Sequence, residues 1–198
     1  MRSGGRHGWL SITGVTIVRG EVTTGACSGV DPTLCVPLID QAVYVFERMF
    51  GWQLEPGTVQ LKQCAPPTFD VSAMIRLDGP VRGSVLLSVS RETACRATSL
   101  LLQRPCRYLN DEIADVVREL TNTVVGRASG ALAREPVRCS LPLAFVGRTR
   151  ALSWPEALAP RVIELHSVEA RVAIEFALRR VTSEDNSAEP SADAWLPC

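Results

Sequence analysis

The chain has a single lysine, Lys62, among 21 basic and 21 acidic residues, so its positive charge is carried almost wholly by arginine. The formal net charge is zero and no run of like charge occurs. That balance lacks the steering field a nucleic-acid-binding or membrane-surface protein would need. Histidine is scarce too: His7 and His166 stand far apart. The seven cysteines, at 27, 35, 64, 95, 106, 139 and 198, include no Cys-x-x-Cys pair. A zinc site takes about four ligands at short paired spacings, so no metal site and no disulfide framework is expected. Reduced thiols fit the scatter, with Cys95 and Cys106 as small apolar side chains. No segment approaches the roughly 20 apolar residues of a membrane span. Gly14 and Thr16 interrupt the one stretch that could have been the apolar part of a signal peptide. A cytoplasmic protein is the expectation.

What is present is a chain of 198 residues with a hydrophobic fraction of 46%, enough for one domain with a substantial core. Residues 1–35 are punctuated by glycine and read as an irregular or disordered arm; residues 183–198 read as a disordered acidic tail. Between them, 36–182 form one unit. Val36 to Phe50 has Leu38, Ala42, Val45, Phe46 and Met49 at helical spacing, with Pro37 in the first turn and Gly51 as the stop. Thr58 to Leu61 is a short strand candidate. Phe69 to Leu77 alternates, turns at Asp78-Gly79-Pro80, and returns as Val81 to Val89, an antiparallel hairpin. Ser90 caps a helix through Ala94, Ala97, Leu100 and Leu101. After a third, longer helix come strands at Val137–Phe145, Val162–His166 and Ala170–Leu178. The order predicts an α+β fold with long helices packed on an antiparallel sheet.

The longer helix, Asn110 to Leu132, carries the chemistry. Ile113, Val116, Val117, Leu120 and Val124 gather on one side, and Asn110 or Asp111 can cap the start. On the opposite side Asp115, Glu119, Asn122 and Gly126 fall at i, i+4, i+7 and i+11. Two carboxylates, a carboxamide and a bare backbone patch thus share one line without a basic residue. A glycine inside a helix costs ~1 kcal/mol relative to alanine, so its presence here points to something that must come close. Thr121, Thr123 and Ser129 flank the line as surface residues. The first helix repeats the frame: Asp40, Tyr44, Glu47 and Gly51 stand at the same four offsets. Only the second copy has the Glu/Asn pair.

Asp115, Glu119, Asn122 and Gly126, followed by Ser140-Leu141-Pro142 and Gly147, resemble the CheC/CheX/FliY family of chemotaxis phosphatases, and the single Glu/Asn pair resembles its CheX branch. The resemblance runs from about Val36 to Val181 and includes the hairpin return Val81-Arg82-Gly83-Ser84-Val85. It implies a phosphatase acting on the aspartyl phosphate of a CheY-like response-regulator receiver domain. Asn122 would orient the attacking water and Glu119 would dock a receiver lysine, with Asp115, Thr123 and Gly126 at the contact. The Mg²⁺ would belong to the receiver, and the phosphatase would need no cofactor of its own. A homodimer joined through strand pairing is also implied. Arg127 departs from the small or neutral residue expected after the glycine. The alternative is a non-catalytic module that docks a receiver or a flagellar-switch component with the same helix.

Overall fold

A computed structural model describes residues 15–18, 21–24, 31–64, 66–148, 154 and 158–182. The elements in chain order are β1 (Val15–Val18), β2 (Glu21–Thr24), α1 (Pro32–Phe50), β3 (Glu55–Pro56), β4 (Gln60–Leu61), β5 (Val71–Asp78), β6 (Val81–Val89), α2 (Arg91–Leu102), α3 (Asp111–Leu132), β7 (Arg138–Cys139), β8 (Leu143–Val146), β9 (Arg161–His166) and β10 (Arg171–Arg180). Within the expected arm, β1 and β2 pair antiparallel. The rest of residues 1–30 and the expected tail lie outside the described residues.

The main sheet runs β3-β9-β10-β6-β5-β7, with β4 also on β9 and β8 also on β5. Every pairing in it is antiparallel. One face collects Val71, Ala73, Ile75 and Leu77 of β5, Val85, Leu87 and Val89 of β6, and Val172, Ile174 and Phe176 of β10, all buried. These residues form one core with the apolar stripes of α1 and α3. The period of two along the strands meets the period of 3.6 along the helices on this face.

Helix α1 begins four residues before the expected Val36. Asp31 caps it, its Oδ1 accepting from the Thr33 N–H at 2.9 Å, and Pro32 starts the helix. A capping acid followed by proline is a stronger start signal than the Val36-Pro37 pair, so Pro37 lies inside the helix with only an early hydrogen bond lost. The Thr33 hydroxyl and Arg180 hold the Asp31 carboxyl below the usual carboxylate range, against the opposing effect of partial burial. Because the folded-state value is depressed, this contribution to stability is full above the ordinary carboxylate range and is lost as pH falls below it through the depressed folded-state value. Three apolar residues expected on core faces are exposed instead: Met49, Leu100 and Leu101. Each lies in the last turn or two of its helix.

The expected strand Val137–Phe145 is broken in two. Cys139 faces Leu77 and Leu143 faces Met74, so four steps along the outer strand match three along β5. The extra residue makes a β-bulge. Ser140 stitches it by donating its N–H to the Arg76 carbonyl and accepting the Arg76 N–H on its Oγ. Leu141 is pushed out and is 91% exposed.

On the other face of the sheet the sole lysine is buried. Lys62 Nζ lies 2.9 Å from Glu175 Oε2, with both side chains at 5% exposure or less. Glu175 Oε1 accepts the Thr68 N–H at 2.7 Å, and the Phe69 N–H donates to Ser88 Oγ at 2.8 Å. Segment 62–69 is thereby strapped across β10 and β6. Gly83 has φ +142°, and a Cβ there would sit 1.9 Å from the Ala177 carbonyl oxygen, so β6 and β10 can approach only at a glycine.

Removing one member of the buried pair leaves an uncompensated charge. Glu175→Ala should lower unfolding stability by about 3–5 kcal/mol, while replacing both partners by apolar residues (Lys62→Met with Glu175→Leu) should cost less than the single change. Chemical denaturation of the three chains measures this; equal losses for the single and double changes would contradict it.

Candidate functional site

Asn110 caps α3, its Oδ1 accepting the Ile113 N–H at 3.2 Å. Burial of Ile113, Val117, Leu120, Val124, Val125, Ala128 and Leu132 sets the rotation of the helix. The opposite line then faces outward, and Asp115, Glu119, Asn122, Thr123 and Gly126 are all exposed as expected. Asp115 and Glu119 have side chains 66% and 68% exposed. No described residue hydrogen-bonds the Asn122 carboxamide. The Thr123 hydroxyl turns back onto its own helix, donating to the Glu119 carbonyl at 2.9 Å. Thr121, expected at the surface, is buried and donates to the Val117 carbonyl at 2.7 Å. It lies past the edge of the line, where the helix meets its supporting layer.

Gly126 carries the most information. A Cβ built there meets nothing within 4 Å, so the chain's own packing does not require a glycine. Gly130, one turn on, is equally open.

Two arginines beside the line were not part of the sequence-derived site, although Arg127 stood out as a departure. Arg118 Nη2 lies 3.1 Å from Asp115 Oδ1 and 3.9 Å from Glu119 Oε1. The i,i+3 spacing of Asp115 and Arg118 was the available signal. Arg127 leaves α3 towards α1, where its guanidinium sits 4.5 Å from the Tyr44 ring centroid and its Nε donates to Gln41 Oε1 at 2.8 Å. The repeated frame on α1 is also exposed at Asp40, Tyr44 and Glu47. There the Glu position is taken by an aromatic ring with an arginine over it. Partial burial raises the Asp40 carboxyl above its usual range. At β7, burial pushes the Cys139 thiol up, and the nearby Ser129 hydroxyl opposes that shift. The Ser129 hydroxyl itself donates to the Gly126 carbonyl at 2.7 Å.

The site is an exposed helix face. Depressions of about 340, 550 and 300 Å³ are lined around Asp31 and Arg180, around Gln53 and His166, and around Lys62 and Arg148, and none takes a residue from α3. Small-molecule sites are concave, whereas an exposed helix line with a bare backbone patch fits the surface of another macromolecule.

A family model described as chemotaxis phosphatase CheX matches residues 71–166, a span that contains all four residues of the line. Over those residues the chain is similar to CheX, and its fold is of the CheC/CheX kind. Its fold is similar to that of a CheC-like superfamily protein from Shewanella sp. PV-4, with a TM-score of 0.68, 22% identity, and 76% of this chain and 99% of that one covered. CheX from Desulfovibrio desulfuricans gives 0.66 at 22% identity, covering 74% and 99%. CheX from Borrelia burgdorferi, solved as a CheX–CheY–BeF3–Mg²⁺ complex, gives 0.61 at 20% identity, covering 74% and 98%. No curated protein matches by sequence. Helix α1 precedes the CheX-matching segment, so the repeated frame is a feature of the fold seen outside that match.

Gly126→Ala should raise the stability of the free chain by up to ~1 kcal/mol, because the helix gains and nothing is crowded. Thermal unfolding checks this; a loss of stability would show that the glycine serves the chain's own packing.

Proposed function

We propose that the protein is a phosphatase for the aspartyl phosphate of a CheY-like receiver domain, working in the cytoplasm through the exposed line on α3. The observation that carries this reading is the Glu119/Asn122 pair held outward beside an unfilled Gly126, inside a segment that matches the CheX model. The CheX–CheY complex among its structural neighbours supports a CheY-like receiver as the partner.

The chemistry asks little of such a protein. An acyl phosphate is already activated, and phosphoryl transfer turns on in-line positioning and charge neutralisation. The receiver brings its own Mg²⁺ and lysine; the phosphatase holds no cofactor. Asn122 supplies a carboxamide, with an acceptor for one water proton and a donor for a lone pair, so it can fix a water in both position and orientation. Glu119, one turn earlier, pairs with the receiver lysine and sets the docking register. Gly126 lets the two backbones approach, and Asp115 and Thr123 border the contact. The same face could dock a receiver or a flagellar-switch component without turnover, which is the outcome if binding is found and hydrolysis is not.

The assembly proposed is a homodimer built through the β8 edge that is unpaired among the described residues, where Leu143 and Val146 are exposed at 55% and 44%. Light scattering at micromolar concentration should return twice the chain mass; a monomer would remove this part.

Asn122→Ala should leave folding and receiver binding nearly intact while lowering the dephosphorylation rate by ~10²–10³. Glu119→Lys should weaken binding and rate together, since the reversed charge repels the receiver lysine. Phosphate release from an acetyl-phosphate-labelled receiver measures both. Equal rates for wild type and Asn122→Ala would take the catalytic role from Asn122.

A further inference from the structure

Arg118 lies within reach of both carboxylates of the line, and the two distances are unequal. The 3.1 Å approach to Asp115 is a direct ion pair, while the 3.9 Å approach to Glu119 is at the limit of one. Arg118 Nε is buried without a hydrogen-bond partner, so only the Nη end of the guanidinium is spent on the line. Glu119 itself takes no hydrogen bond on its carboxylate from a described residue. The guanidinium therefore leans towards Asp115 and leaves Glu119 loosely held.

We infer that Asp115 is a positioning residue that draws Arg118 off Glu119, and that Arg118 is a built-in competitor for the cation Glu119 docks. The inference rests on the receiver reading of the site and names how its affinity is set. An incoming receiver ammonium meets three side chains that together carry one net negative charge. Without Arg118 it meets two, and no cation has to be displaced. Without the Asp115 charge, Arg118 has one carboxylate left within reach, and it is Glu119. The two changes should therefore move receiver affinity in opposite directions, although both remove one member of the same ion pair. A merely structural role for the Asp115–Arg118 pair predicts the same sign for both, through loss of helix stability.

The test is steady-state phosphate release from an acetyl-phosphate-labelled CheY-type receiver at moderate ionic strength. Arg118→Gln should lower KM by about two- to fivefold, the range an exposed pair supports, with a steeper salt dependence and kcat within about twofold. Asp115→Asn should raise KM by a similar factor, and Arg118→Gln in the same chain should abolish that rise. Arg118→Lys keeps the charge and should stay near wild type. Arg104→Gln removes an arginine that pairs with Glu112 a turn away from the line, and should leave KM unchanged. A KM that rises or stays flat in Arg118→Gln, or an Asp115→Asn rise that survives the second change, overturns the inference while the phosphatase reading stands. A receiver-free arm separates the two readings. In the free protein, the Arg118 guanidinium ¹⁵N signals should move with Asp115→Asn and respond to Glu119→Gln only once Asp115 is neutral. If that coupling is absent the inference falls; if it is present and wild type neither binds nor dephosphorylates the receiver, it is the functional reading that falls.

Discussion

Everything the candidate site can do depends on how α3 is rotated against the sheet. Burying Ile113, Val117, Leu120, Val124 and Ala128 removes large apolar side chains from water, at roughly 1.5–3 kcal/mol for each of the larger ones. No other rotation of the helix recovers that sum, because a turn of ~100° per residue would bring the charged line into the core at a cost of several kcal/mol per group. The outward placement of Glu119 and Asn122 is thus fixed by residues that never touch a partner. It is held by α1 alongside and by β5 and β8 of the sheet beneath. The proposed role, presenting a water-binding side chain to another protein, suits an element with that little freedom.

The two frames on α1 and α3 show how a shared scaffold becomes asymmetric. Both helices expose an acid in the first position and end the frame with a glycine. On α3 the middle positions are Glu119 and Asn122; on α1 they are Tyr44 and Glu47. Arg127 then crosses from α3 to stack on Tyr44 and bond Gln41. The departure noted beside Gly126 is therefore an inter-helix clasp, which points its charge away from the line. The glycines also differ. Gly51 ends α1 in the left-handed conformation at φ 73°, a local need of the chain, whereas Gly126 lies inside a helix where the chain needs nothing of the kind.

Much of this was legible in the sequence because it rests on periodicity. The hairpin at Asp78-Gly79-Pro80, the caps at Ser90 and Asn110, the buried stripe of α3 and the exposed line opposite it all follow from spacing of two or 3.6. What was missed follows from interactions that spacing does not encode. The bulge at 140–142 depends on a serine hydroxyl replacing a backbone acceptor for Arg76. Burial of Lys62 depends on Glu175, 113 residues away in sequence. Met49, Leu100 and Leu101 satisfy helical spacing and yet are exposed, because spacing does not say which turns of a helix are covered by neighbours. Arg118 was legible in principle, being three residues after Asp115, but a side chain on the flank of a line joins it only through its length.

The proposed function requires the α3 line to turn over a phosphorylated receiver. The most direct measurement is the lifetime of an acetyl-phosphate-labelled CheY-type receiver mixed with a substoichiometric amount of the wild-type chain. The account predicts a shortened lifetime with many phosphates released per chain. An unchanged lifetime under conditions where the two proteins bind would contradict it.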